Sequence, residues 1–186
     1  MSLIDSTYFI REINLPDNSL TSDMPYFITQ YEKEVLIKLL GYESYVLLKA
    51  AIDAGSPGYG GTDKWVWLIT GHEYEVEYGG TQTIKWNGLV NTDLVSFLAY
   101  YIYYQWMKFH VSDTTSVGES ITEKENALGI SPSHKMVSAW NNFIDLYGQV
   151  GEPVIKPSAY NFLHKYESDY DKWIFTPMEK INILSI

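Results

Sequence analysis

His72 is followed at once by Glu73 in the stretch GHEYEVE, and Glu75 and Glu77 continue the series. An imidazole beside a carboxylate opens a zinc-protease signature, but that chemistry needs a second imidazole one helical turn on, facing the same way. None follows, and Tyr74, Val76 and Tyr78 alternate with the three glutamates, which is the period of a strand. The carboxylates could hold a cation or, with Asp63, serve a small enzyme as acid and base. The wet face of a half-buried strand explains them more simply. His110, His134 and His164 stand singly, and His110 closes a helix, where a positive charge suits the dipole. Gly58 to Gly61, GYGG, lacks the Gly-Lys-Ser/Thr ending of a phosphate loop and reads as a turn. There is no Gly-x-Ser-x-Gly elbow. The chain has no cysteine, which removes disulfides, thiolate ligands and a thiol nucleophile. Trp65, Trp67 and Trp86 could stack on a sugar or pin a hairpin to helices. The residues therefore predict no catalytic group, no metal ligand and no cofactor.

The elements that position these residues are mostly helical. Residues 1–22 read as an irregular arm. Ser22 or Asp23 can cap a first helix, with Pro25 in its first turn. Phe27, Tyr31, Val35 and Leu39 then recur every four residues until Gly41. YESYVLLKAAIDAG reads as a second helix, and KWVWLITG fits either a short helix or a strand. Residues 72–86 form a β-hairpin turned at Gly79 and Gly80, where positive φ comes without strain. A helix from Ser131-Pro132 carries Met136, Trp140, Phe143 and Tyr147 on one stripe, with His134, Ser138, Asn141, Asn142 and Asp145 opposite. The expected fold is mainly α with an inserted β-hairpin, a small bundle of four to five helices. Residues 1–150 make the helical domain. Residues 151–186 add a weaker C-terminal helix and an extended tail packed on the same domain.

The helix between hairpin and bundle is the anomaly. Leu94 to Met107, LVSFLAYYIYYQWM, holds no charge, and Asn91, Thr92 or Asp93 can cap it. Fourteen residues cover roughly 21 Å, too short for a bilayer core of about 30 Å. It is either a core helix packed on all sides or a helix that lends one side to another chain. Several buried tyrosine hydroxyls would each need a partner, which an interface supplies more easily. Tyr100, Tyr103, Tyr104 and Trp106 are thus the candidate oligomer interface, expected to be an exposed patch in the monomer. The aperiodic segment that follows suggests a mobile assembly loop carrying Thr114, Thr115, Val117, Gly118 and Glu119. Gly79 and Gly80 are a candidate contact at the hairpin tip.

The net charge of −10 disfavours a surface that grips nucleic acid, because neutralising phosphates takes Lys and Arg. The N-terminal stretch has no basic segment followed by an apolar one, so no signal peptide is expected. The absence of cysteine fits a reducing compartment.

The order of parts resembles a known family. A W…G.EY stretch runs into a hairpin ending KWNGL (Lys85 to Leu89). LAYYIYYQWM, a TTSVGE segment (Thr114 to Glu119), SPSHKMVSAWNNFIDLYG (Ser131 to Gly148), YNFL (Tyr160 to Leu163) and a terminal INILSI (Ile181 to Ile186) follow. The likeness is to phage and prophage proteins of Bacteroidetes taken as head-tail connectors, of the adaptor or head-completion kind. The ending departs from the glycine-containing one of that family. The resemblance implies a structural virion protein that forms a homo-oligomeric ring between portal and tail proteins. It implies a protein in the bacterial cytoplasm when free and at the head-tail interface when assembled. DNA passes such a ring without specific binding, and no catalytic residue carries over. The runner-up is a carbohydrate- or peptide-binding module using surface aromatics.

Overall fold

The computed structural model describes residues 2–15, 23–55, 64–110, 112–115, 118–121, 132–170 and 172–182. They form six α-helices and two antiparallel hairpins. The fold is mainly α with an inserted β-hairpin, as the periodicities predict.

Helix α1, Met24–Leu40, buries Phe27, Val35 and Leu39 from the predicted stripe and leaves Tyr31 half-buried. Gly41 ends it at φ +77°, a conformation that side chains resist, and a Cβ there would sit 3.0 Å from Ile174 Cβ. Helix α2, Tyr42–Asp53, follows at once. KWVWLITG resolves as a short helix, α3, Lys64–Thr70. Strands β1, His72–Glu77, and β2, Thr81–Trp86, pair with Glu73 opposite Lys85 and Glu77 opposite Thr81. Tyr74 and Val76 face the core while Glu73, Glu75 and Glu77 face water, the alternation that one covered sheet face imposes.

The aromatic helix, α4, begins at Phe97 rather than Leu94 and runs to His110. Leu94 sits at φ +56°, where a helix cannot form. Asn91 holds the preceding turn, accepting from Val95 N at 3.1 Å and donating to Val95 O at 2.7 Å. Ser96 then caps the helix through Leu98 N. Helices α1 and α5, Pro132–Tyr147, pack against α4. Pro132 opens α5 as expected, and Ser131 lies outside the described residues. The last helix, α6, is shorter than predicted, Ala159–Lys165, capped by Ser158 through Asn161 N at 3.2 Å.

Part of the segment that is aperiodic in sequence forms strands β3, Ser112–Thr115, and β4, Gly118–Ile121. Thr114 pairs with Glu119 and Thr115 with Gly118. Val117 lies outside the described residues. The strands are four residues each and polar, so they leave no apolar alternation to read.

Two helix ends are finished by distant chain. The last carbonyls of an α-helix lack internal donors. In α1, Lys38 O accepts from Thr176 N at 2.8 Å, Leu39 O from Trp173 Nε1 at 2.8 Å and Leu40 O from Ile174 N at 3.1 Å. In α3, Leu68 O accepts from Leu89 N and Trp86 Nε1, and Ile69 O from Val90 N at 2.8 Å. Gly88 makes that second crossing possible, since a Cβ would come within 2.5 Å of Gly71 N and Ile69 O. Among the described residues, no helix is long and apolar enough to cross a membrane.

Candidate functional site

The aromatic helix belongs to the protein's own core. Tyr100, Tyr103 and Trp106 are buried, and Tyr104 is half-buried with its ring 4.8 Å from Trp140. The exposed patch expected from Tyr100, Tyr103, Tyr104 and Trp106 is therefore absent. Trp140 of α5 covers Tyr104, His110 stacks on Trp106, and Tyr100 is met by a layer with no sequence period, the N-terminal arm. Ile4, Tyr8, Phe9, Ile13 and Leu15 all enter the core from it. The arm also brings hydroxyl partners. Tyr100 donates to Glu12, and Tyr101 donates to Glu34 of α1 at 2.7 Å. Burial first, and then these carboxylates, push both phenols well above their usual range.

The residues that suggested chemistry do not converge. His72 stacks on Trp67 with centroids 4.1 Å apart, and His110 reaches Asp23 at 3.1 Å. His164 stacks on Tyr160, and His134 is exposed on α5. Asp63 and Gly58–Gly61 lie outside the described residues. No group of three or more His, Asp or Glu that could hold a metal ion occurs among the described residues. Of the tryptophans that might stack on a sugar, Trp65 and Trp86 are buried. Trp65 lies against Tyr170, and Trp86 donates to Leu68 O and stacks on Phe162. Only Trp67 keeps a half-open face. Tyr74, beneath the hairpin, has its phenol pushed up to about 12 by burial.

Two of the open cavities among the described residues are lined by the N-terminal arm and by groups that could do chemistry. One, of about 380 Å³, lies between the first residues and helices α1 and α2. Its carboxylate, Glu32, is buried and already accepts from Leu3 N at 3.0 Å and Ile4 N at 3.2 Å, and its Lys49 pairs with Asp53. Burial raises the Glu32 pKa, and the two amides hold it back part of the way. The other, of about 650 Å³, lies between the arm and the turn before α4. There Asp5 is taken by Thr7, and the Tyr8 hydroxyl both donates to Asn91 O and accepts from Asn91 N. In neither cavity does a nucleophile meet a base. No family model, curated protein or solved structure matches the chain.

What the structure does expose on α2 is apolar surface, interrupted on the same side by the charged Glu43 and Asp53. Ser44 and Leu48 face inward. Tyr42 is 65% exposed, Val46 44% and Leu47 44%, and Ala50 is exposed on the same side. Ile174, 67% exposed and bonded to Leu40, sits where this helix begins. A surface helix normally turns polar residues to water. The sequence carries the signal: YESYVLLKAAID is apolar at too many positions for one buried stripe. At the hairpin tip, Gly79 and Gly80 have positive φ and open space around them, so the tip is free to meet a partner.

A second arrangement concerns the tail. Asn141 and Asp145, read from the sequence as part of a solvated face, grip residues near the C-terminus. Asn141 accepts from Ile181 N at 2.9 Å and donates to Ile181 O at 3.1 Å. Asp145 pairs with Lys180 at 2.6 Å and with Lys156 at 2.8 Å, and these contacts outweigh its desolvation and lower its pKa.

Proposed function

We propose that the protein is a structural subunit that self-associates, and that its assembly is the ring of a phage head-tail connector. One observation carries the first part: the outward apolar face of α2 at Tyr42, Val46, Leu47 and Ala50, continued by Ile174. Exposed apolar surface of this kind is stabilised by docking, and a second copy of the chain is the occupant a ring requires. The hairpin tip and the β3–β4 hairpin are further candidate contacts with portal or tail proteins. The second part rests on the resemblance and is supported by charge. A net −10 suits a channel protein past which DNA slides, because carboxylates repel phosphate.

The test is Val46→Glu together with Leu47→Glu. Both side chains are exposed and neither belongs to the buried core, so the variant keeps its helical spectrum. Sedimentation of the wild-type chain at increasing concentration should show oligomers, with rings visible by electron microscopy, and the double variant should stay monomeric. A wild-type chain that is monomeric at every concentration tested, or a variant that assembles as well as wild type, refutes the reading.

A further inference from the structure

The C-terminal arm is held mainly through its backbone, with the Phe175 ring stacked on Tyr147 and Lys180 paired with Asp145 as its side-chain contacts to α5. Tyr147 donates to Thr176 O at 2.9 Å, Gln149 to Met178 O at 3.3 Å and Trp140 Nε1 to Glu179 O at 2.8 Å. Asn141 adds its reciprocal pair with Ile181. Donors aimed at main-chain carbonyls recognise an extended chain as such, as strand addition does at a sheet edge. No described residue from Lys172 to Asn182 is buried, and beyond the Trp173 anchor only Phe175 and Met178 pack half-buried side chains against the core. Little core is lost if the arm leaves.

We infer that this face of α5 is a binding site for extended peptide, and that in the assembly it takes the C-terminal arm of a second copy of this chain. The inference rests on the self-associating reading above. Three observations favour a second copy. The root of the arm is fixed, because Ile174 and Thr176 bond to the end of α1. The next residue, Pro177, is exposed and has no N–H to release; its ring fixes φ, so the arm swings about its ψ. The root also lies against Gly41, at the start of the apolar α2 face. A neighbour docked on that face is close to the arm, and residues 177–182 reach about 20 Å when extended. Every contact made within one chain can be remade between two. The exchange therefore costs little beyond association and ties neighbours together.

The chain has no native cysteine, so one engineered pair reports the arm's position. Asp145 and Lys180 touch and are each more than two-fifths exposed. Replacing both, Asp145→Cys with Lys180→Cys in the full chain, leaves the core intact. A lysine reaches farther than the Cα spacing of about 4.4–6.8 Å that a disulfide needs, so the double variant is treated with a short bismaleimide over a range of concentrations and run on a denaturing gel, with sedimentation of the same samples. Exchange predicts covalent dimers and a ladder of higher species that shrinks on dilution. Mixing the two single variants should likewise give a cross-linked heterodimer. Oligomers by sedimentation with only intrachain cross-links overturn the arm exchange and leave the self-associating reading standing. Monomers by sedimentation with only intrachain cross-links overturn both.

Discussion

The two ends of the chain cross the same bundle and are held by opposite means. The N-terminal arm inserts side chains: Ile4, Tyr8, Phe9, Ile13 and Leu15 are all buried. Its backbone is tied at Leu3 and Ile4 to the buried Glu32. The C-terminal arm offers its backbone and keeps Thr176, Pro177, Glu179, Lys180 and Asn182 in water. Burying a large apolar side chain is worth about 1.5–3 kcal/mol, and one hydrogen bond about 0.5–1.5 kcal/mol net. The first arm is thus part of the fold, and the second can open while the fold persists. The root of the second arm is the exception, since Trp173, Ile174 and Thr176 supply donors that the end of α1 lacks.

Three substitutions sharpen this contrast. The largest effect belongs to Phe9→Ala, which should cost about 3–5 kcal/mol in urea unfolding. A loss below about 1 kcal/mol would show that the arm is a surface appendage. Trp173→Phe keeps a ring but removes the donor to Leu39 O, and about 1–3 kcal/mol should go with it. If stability is unchanged, water replaces the indole and the root is as loose as the arm. The smallest effect is the pH response of Glu32→Gln. The folded state holds the Glu32 proton more tightly than the unfolded chain, whose carboxyl titrates near 4.5. Its contribution is therefore full below that pH and is lost as pH rises through the raised folded pKa. Asp5, Glu12 and Asp145 have lowered pKa values and act in the opposite sense. The variant is therefore compared with wild type: on going from pH 4.5 to 7, its urea midpoint should fall less or rise more. Identical slopes would place Glu32 in water.

The parts legible from sequence are those with a period. The first hairpin declared itself by Glu73, Glu75 and Glu77 alternating with buried neighbours, and α1 and α5 by their apolar stripes. The N-terminal arm has no period, because its buried residues enter through 3-10 turns and irregular chain. A sequence that hides this layer leaves the rings of α4 without visible cover, and so points Tyr100, Tyr103, Tyr104 and Trp106 outward. The α2 face is hidden for the converse reason: apolar residues in a helix read as core until the packing shows which side is covered. The hold of Asn141 on Ile181 is invisible in sequence, since a contact with backbone demands no residue type in the segment held.

Amide hydrogen exchange of the wild-type chain, at a dilution where it is monomeric, tests the contrast between the arms most directly. The Ile4 amide is bonded to Glu32 and the Ile181 amide to Asn141, so the two isoleucines compare the arms on one scale. Corrected for intrinsic rates, Ile181 should exchange at least ~100-fold faster than Ile4, through local opening that leaves the bundle folded. Equal protection at the two amides would contradict the account, because the C-terminal arm would then open only when the whole protein unfolds.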